Sequence, residues 1–165
     1  MKILVISDSH GASEYIVEAI SRNKDAGAIA FLGDGERDLE EALADCNISP
    51  YGDDGSMEVY QVRGNCDRFS MEPALLTFTA GGHKILITHG NDQGVKYGPE
   101  KLILTAEQRK CDAAFFGHTH RAELLNENGI FLFNPGSIRT GSYGVVFADE
   151  NGMRFELKNV HSFLK

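Results

Sequence analysis

Residues 3–10 read Ile-Leu-Val-Ile-Ser-Asp-Ser-His. The first four are aliphatic and largely β-branched, an uninterrupted run that is typical of a strand buried on both faces. The chain then becomes polar and presents Asp8 and His10, two residues apart. We therefore predict a central strand of an α/β fold, whose carboxyl end opens into a crevice that contains polar side chains.

The first half of the chain repeats this pattern twice more. Ala28–Leu32 is predicted as a second buried strand, and Val59–Val62 is predicted as a third strand. One helix is predicted after Ser13, which is a suitable N-cap, and an acidic amphipathic helix is predicted from about Glu36 to Ala44. The segment 47–56 is a turn-rich loop. The order β-α-β-α-β predicts a parallel sheet with right-handed crossovers.

The second half contains mostly strands. They are predicted at Leu75–Thr79, Lys84–Thr88, Ala113–Phe116, Ala122–Leu125, Ile130–Phe133, Val145–Ala148 and Met153–Leu157. The first two flank a Gly-Gly turn and form a hairpin, whereas the last four look antiparallel because Asn-Gly turns separate them in pairs. A helix is predicted from Pro99 to about Lys110. We expect one α/β domain over residues 1–165, with mixed sheets.

Length, charge and cysteine content exclude several classes of protein. A chain of 165 residues is too short for a (β/α)₈ barrel, which needs about 250 residues. The net charge of −8 argues against an extended nucleic-acid-binding surface. The apolar runs are too short to span a membrane. Three cysteines cannot all pair and follow nothing that resembles a secretion signal, so we expect reduced thiols and a cytoplasmic location.

Side chains that commonly bind metals follow five of the predicted strands. They are Asp8, His10, Asp34, Asn65, His89, His118 and His120. Because the carboxyl ends of parallel strands meet at one edge of a sheet, we expect these side chains to share a crevice. Taken singly, Asp8, His10, Asp34, Asn65 and His89 are readily explained as a turn, a helix cap or an ordinary strand-end residue, whereas the His118-x-His120 pair favours a metal by itself. Taken together, they predict a metal site.

The number of ligands indicates two ions. Two carboxylates, four imidazoles and one amide exceed what one ion needs, and they suit two ions about 3.5–4 Å apart. Two divalent cations would outweigh the charges of Asp8, Asp34 and a hydroxide, which leaves a small positive charge that attracts a phosphate ester. A ligand set rich in imidazole favours Mn²⁺, with Ni²⁺, Fe²⁺ or Zn²⁺ as alternatives, over Ca²⁺ or Mg²⁺.

These motifs, in this order, resemble those of the calcineurin-like metallophosphoesterase superfamily. The motifs are Asp8-x-His10, Gly33-Asp34, Gly64-Asn65-x-Asp67, His89-Gly90 and Gly117-His118-x-His120. The short length, Cys66 and the Asn134-Pro-Gly-Ser137 segment are similar to those of small YfcE-type phosphodiesterases in particular. The resemblance implies a four-layer α/β/β/α sandwich and hydrolysis of phosphoesters by a metal-bridging hydroxide.

The resemblance also implies a role for each site residue. It places Asp8, His10 and His120 on one metal ion and Asn65, His89 and His118 on the other, with Asp34 bridging the two. Asn65 also acts in catalysis, by donating its amide to a phosphate oxygen of the substrate.

The two residues that follow Asn65 are also assigned to the site, and one of them departs from the family pattern. Cys66 stands at the substrate-binding mouth of the site, where many relatives have a histidine that protonates the leaving group. Because a thiol is a poorer proton donor than that histidine, the identity of the general acid is left open. Asp67 is expected to contribute to catalysis by orienting a water or a substrate group.

Two other functions remain as alternatives. A metal-dependent amidohydrolase also uses a His-x-His pair, but the length and the Asp8-x-His10 motif disfavour it. A scaffold subunit of the retromer complex has the same fold without catalysis and lacks one ligand histidine, whereas all seven ligand positions are filled here. We expect a small phosphoester as substrate, and a homodimer formed through an exposed sheet edge. Four arginines flank the motifs and are candidates for phosphate contact: Arg63, Arg68, Arg121 and Arg139.

Overall fold

The computed structural model describes residues 1–51 and 57–162, which form three α-helices and two five-stranded sheets. The helices are α1 (Ser13–Ser21), α2 (Glu36–Asp45) and α3 (Glu100–Gln108). The first sheet contains β1 (Lys2–Ile6), β2 (Ala28–Phe31), β3 (Glu58–Gln61), β9 (Ser142–Asp149) and β10 (Gly152–Asn159). The second contains β4 (Leu75–Ala80), β5 (His83–Thr88), β6 (Ala113–Phe115), β7 (Ala122–Glu127) and β8 (Ile130–Pro135).

The first sheet has the strand order β10-β9-β1-β2-β3. Strands β1, β2 and β3 are parallel, with Leu4 opposite Ile29 and Ile29 opposite Val59. This confirms the predicted β-α-β-α-β unit. On its other side β1 pairs with β9 in antiparallel orientation, with Leu4 opposite Val145. The strand at residues 3–6 is therefore central, as its continuous apolar run predicts.

The second sheet has the order β4-β5-β6-β8-β7 and is also mixed. The β4–β5 hairpin is confirmed, whereas β5, β6 and β8 are parallel. The expectation that the last four strands are simply antiparallel is wrong in part, because β8 pairs with β6 in parallel and β9 with β10 joins the first sheet. The reason is burial: Val145 and Val146 point to opposite faces of β9, and both are buried, which requires a place beside a central strand.

Alternation along the central strands separates the molecule into four layers. Leu4 and Ile6 pack with α1 and α2, whereas Ile3 and Val5 face the second sheet. In β5, Ile85 faces the first sheet and Leu86 packs against α3. Three apolar cores therefore lie between four layers, which confirms the predicted α/β/β/α sandwich.

Smaller differences concern the ends of elements. Helix α1 begins at Ser13 with Ala12 in the N-cap position, one residue earlier than predicted, because the Ala12 carbonyl accepts a hydrogen bond from Tyr15 N–H at 3.2 Å. Helix α3 ends at Gln108, and Pro99 is its N-cap residue. Residues 52–56 of the predicted loop lie outside the described residues. Among the described residues, no helix combines the length and apolar character needed to cross a membrane.

Candidate metal centre

The seven predicted ligand residues converge at the carboxyl ends of β1, β2, β3, β5 and β6. Backbone hydrogen bonds hold the ends of neighbouring strands together: Asp8 N–H donates to Gly33 O and Gly117 N–H donates to His89 O, both at 3.0 Å. Ligand atoms within 4.8 Å of one another occur in three groups of residues: Asp8, His10 and His120; Asp8, Asp34 and His89; and His10, Asp34 and Cys66. The groups overlap, so the cluster is continuous.

The backbone at this cluster is held in the left-handed region. Positive φ angles occur at five predicted ligands: Asp8 (55°), His10 (43°), Asp34 (59°), His118 (65°) and His120 (59°). Left-handed backbone is uncommon for residues other than glycine and costs free energy. Within the described residues only three other non-glycine residues share it, so the unfavourable conformation is concentrated at the candidate site.

Two glycines permit the close approach of the ligand loops. A Cβ at Gly64 would overlap the Asp34 carboxylate, and a Cβ at Gly117 would overlap the side chain of Ser7 and lie 2.7 Å from Asp8 Oδ2. Both positions therefore require glycine for steric reasons rather than for backbone flexibility. Gly64 and Gly117 therefore allow one ligand loop to pack directly on the next.

Asp8 is the most informative residue of the site. Its side chain is completely buried, and Oδ2 accepts hydrogen bonds from Ser7 Oγ at 2.6 Å and from His118 N–H at 3.1 Å. Oδ1 is buried and has no hydrogen-bond partner. It faces His120 Nε2 at 3.1 Å and His10 Nε2 at 3.8 Å. A buried carboxylate oxygen without a donor is costly, and a cation bound between it and the two imidazoles would satisfy it.

Asp34 lies between the two halves of the cluster. Its Oδ1 accepts a hydrogen bond from Cys66 N–H at 2.7 Å, and Oδ2 lies 3.4 Å from His89 Nε2 and 3.9 Å from His10 Nε2. Burial alone would raise the pKa of Asp34, but His89 and the Cys66 N–H stabilise the charged form and hold the pKa well below its usual range. Asp34 is therefore a carboxylate at neutral pH, with one oxygen directed at both imidazoles.

His89 is oriented by the backbone of the first sheet. Its buried ring places Nδ1 2.8 Å from the carbonyl oxygen of Leu32, so in the neutral ring Nδ1 carries the proton and Nε2 has a free lone pair. Nε2 lies 3.1 Å from Asn65 Oδ1 and 3.2 Å from His118 Nδ1. Burial lowers the pKa of His89, but the carboxylates of Asp34 and Asp8 outweigh burial and raise it.

His118 and His120 sit on either side of Thr119 and are directed at different parts of the cluster. His118 faces His89, whereas His120 faces Asp8 Oδ1 and lies 3.3 Å, between Nε2 atoms, from His10. Burial, the charge of His89 and the charge of Lys96 together lower the pKa of His118. A neutral imidazole is the form that binds a metal ion. The donors of this cluster therefore fit divalent cations on both sides of Asp34.

Cys66 lies at the exposed mouth of the site. Its Sγ accepts a hydrogen bond from Asn65 Nδ2 at 3.3 Å and belongs to the group with His10 and Asp34. Burial and the carboxylates of Asp34, Asp67 and Asp8 raise the pKa of the Cys66 thiol. The thiol therefore keeps its proton at neutral pH.

Asp67 has a different environment from the one expected. Its two oxygens accept four backbone hydrogen bonds: from Gly64 N–H and Asp34 N–H at 2.8 Å, and from Gly35 N–H at 2.9 Å and Glu36 N–H at 3.2 Å. The last two donors lie at the N-terminus of α2. This geometry favours a positioning role for Asp67 over the direct contact with water or substrate that we expected, because its lone pairs already hold the Asp34 loop.

Several residues support the candidate ligands, and of these Ser7 and Asp38 were not found by sequence reasoning. Ser7 Oγ donates to Asp8, and Ser137 Oγ donates to the Asp8 carbonyl at 2.7 Å. Asp38 accepts from Ser9 Oγ at 2.5 Å and from Gly11 N–H at 2.8 Å. Polar residues that are buried at strand ends, such as Ser7, are the one signal that points to this outer layer of contacts.

Asn134 is a further supporting residue. Its amide nitrogen donates to Gly117 O and to Thr119 Oγ1, both at 3.0 Å, so it braces the loop that carries His118 and His120. The Asn134-Pro-Gly-Ser137 segment thus supports the ligands from behind.

This site on this fold places the chain among the metallophosphoesterases. The calcineurin-like phosphoesterase superfamily domain matches residues 1–151, and the chain belongs to that superfamily. It is 34% identical over 152 residues to the probable metallophosphoesterase YsnB of Bacillus subtilis, which covers 88% of this chain and 83% of YsnB. It is 31% identical over 172 residues to the phosphodiesterase YfcE of Escherichia coli K12, which covers 90% of this chain and 89% of YfcE.

A solved structure supports the same assignment. The crystal structure of a predicted phosphoesterase from Streptococcus pneumoniae TIGR4 superposes with a TM-score of 0.76 and 26% identity. The match covers 96% of this chain and 89% of that protein. The family and the fold expected from the five motifs are therefore confirmed.

Proposed function

We propose that the protein is a phosphodiesterase that depends on two divalent metal ions, with Mn²⁺ as the preferred ion and Ni²⁺, Fe²⁺ or Zn²⁺ as alternatives. The observation that carries this proposal is the position of the two aspartates. Asp8 Oδ1 and Asp34 Oδ2 each lie within 4 Å of imidazole nitrogens from both halves of the cluster. Shared carboxylate oxygens between two groups of imidazoles are suited to a pair of ions.

The ligands divide into two sets about Asp34. Asp8, His10 and His120 would hold one ion, and Asn65, His89 and His118 would hold the other. When bound, the ions supply a nucleophile from water at neutral pH and neutralise charge on the phosphate. Asn65 Nδ2 rests on the Cys66 sulfur and is free to donate to a phosphate oxygen instead.

Cys66 provides little help to the leaving group. A thiol is a weaker proton donor than an imidazolium. An alkoxide leaving group needs such a proton, whereas an activated aryl oxide departs without one. We therefore infer that aryl phosphodiesters are cleaved faster than alkyl phosphodiesters of similar size.

We infer that the substrate is a small phosphoester and that the protein acts in the cytoplasm. The excess of 24 acidic over 16 basic residues disfavours binding of an extended nucleic acid. The similarity to YfcE, which is named a phosphodiesterase, supports a diester as substrate.

Metal analysis and a chromogenic diester test this function together. Protein stripped of metal and reconstituted with Mn²⁺ is expected to hold close to two ions per chain and to hydrolyse bis-4-nitrophenyl phosphate. Asp8→Asn should lose metal and turnover, whereas Asp45→Asn, the same change at an exposed position, should lose neither. Saturation at one ion would refute the two-metal proposal. Absence of stoichiometric binding together with absence of turnover would indicate a scaffold of the same fold.

A further inference from the structure

A cavity borders the loop that carries His118 and His120, on the side of the second sheet. It has a volume of about 470 Å³ and lies between the 95–99 segment, the start of α3 and strand β7. Thr119 and Arg121, the neighbours of His118 and His120 in the chain, form part of its wall. The cavity therefore begins where the ligand loop ends, and its size falls within the range of small-molecule sites.

The floor of this cavity is partly apolar. The half-buried Val95, Pro99 and Leu125 contribute apolar surface to it, whereas Leu102 of α3 and Phe116 after β6 are buried. The ligand loop on one side is braced by Asn134, as described above. Apolar side chains beside a fixed loop are suited to an aromatic group rather than to a strongly hydrated one.

The rim combines an aromatic ring with charged groups. Tyr97 is 98% exposed, and Lys96 and Arg121 are exposed on the same rim. Glu123 of β7 also lines the cavity and can accept hydrogen bonds. Within residues 1–51 and 57–162, neither Arg121 nor Lys96 forms an ion pair with a carboxylate, although the chain is acidic overall.

We propose that this cavity binds one ester group of the phosphodiester, and that it selects a planar aromatic group with hydrogen-bond donors on its edge, of the size of a nucleoside. The inference rests on the phosphodiesterase function proposed above. Tyr97 stacks on the ring, the apolar floor holds its other face, and Glu123 accepts from its amino, imino or hydroxyl groups. Lys96 and Arg121 attract the phosphate toward the metal ligands.

Two diesters with the same leaving group test this proposal. Thymidine 5′-(4-nitrophenyl phosphate) and methyl 4-nitrophenyl phosphate both release 4-nitrophenolate, so the ratio of their kcat/KM values reports the contribution of the other ester group. For the Mn²⁺-loaded protein we expect a ratio of about ten or more in favour of the nucleoside ester, since one base–aromatic stack contributes about tenfold or more.

Three variants locate the effect. Tyr97→Ala is expected to lower the ratio about tenfold, and Glu123→Gln to lower it severalfold. Tyr51→Ala removes a tyrosine of similar exposure that lies in another groove, beside α2 and β3, and the ratio should not change. An equal effect of Tyr97→Ala on both esters, or no effect on either, would overturn the proposal.

A binding measurement separates the subsite from the reaction. In saturation-transfer NMR on the metal-free protein, thymidine base protons should receive saturation from the wild type and from Tyr51→Ala, and much less from Tyr97→Ala. Absence of transfer in the wild type would refute the subsite. If neither ester is hydrolysed but saturation transfer occurs, the proposed function is wrong and the subsite stands. If both esters are hydrolysed at equal rates, the subsite is wrong and the proposed function stands.

Discussion

Replacing Asp67 distinguishes a positioning carboxylate from one that acts on the substrate. In the structure, each of its oxygens accepts two backbone N–H groups, including those of Asp34 and Glu36. Asp67→Asn keeps the shape but turns one oxygen into an NH₂ group that faces two donors. The variant is therefore expected to leave two N–H groups without an acceptor and to remove a negative charge from the N-terminus of α2.

The magnitude follows from these bonds. An N–H group left unpaired in a partly buried position costs roughly 1–1.5 kcal/mol, at the lower end of the range for buried groups. Two such groups correspond to about 2–3 kcal/mol of unfolding free energy, or a fall in Tm of about 6–10 °C for a domain of this size. The Mn²⁺ affinity should fall by about 10–100-fold, because Asp34 loses the contact that fixes its backbone.

Thermal unfolding of the metal-free protein and titration with Mn²⁺ measure these two effects. Asp92→Asn is the matched control, since Asp92 is an exposed acid that lines the same groove beside Asn65. Turnover of Asp67→Asn should recover substantially at saturating Mn²⁺. If instead its Tm equals that of the control while turnover stays abolished at saturating metal, then Asp67 acts directly on the substrate or its water, and the positioning role is wrong.

Three further predictions concern the bridge, the leaving group and assembly. Asp34→Asn should lower turnover at least about 100-fold and reduce bound Mn²⁺ below two per chain, because one oxygen serves both sides of the cluster; retention of both ions and full activity would remove Asp34 from its bridging position. Cys66→His should raise the rate for alkyl relative to aryl diesters by about tenfold or more, since a positioned acid contributes roughly 10²–10⁴-fold; an unchanged ratio with both metals retained would contradict this account. Strand β10 is an edge strand, so light scattering at tens of micromolar should detect a homodimer; a uniform monomer would exclude it.

The amino-acid sequence alone determined the central strands and the order of the ligands. Residues 3–6 and 28–31 are apolar without interruption, which is possible only for strands covered on both faces, and such strands are parallel and central. Because the carboxyl ends of these strands lie at one edge, the polar residues that follow them meet whatever the details of packing. His118-x-His120 and Asp8-x-His10 were therefore recognisable as candidate ligands.

Only the tertiary structure decided what each polar group faces. Nothing local in Gly64-Asn65-Cys66-Asp67 distinguishes a carboxylate that binds substrate from one that accepts four backbone N–H groups, since three of those donors come from residues 34–36, about thirty positions away. The placement of β9 beside β1 likewise depends on long-range pairing within the first sheet. The cavity that Tyr97 lines depends on the packing of α3 against β7 and the second sheet. Periodicity and strand ends are properties of neighbouring residues, whereas hydrogen-bond partners and cavities arise from segments that meet only in the folded chain.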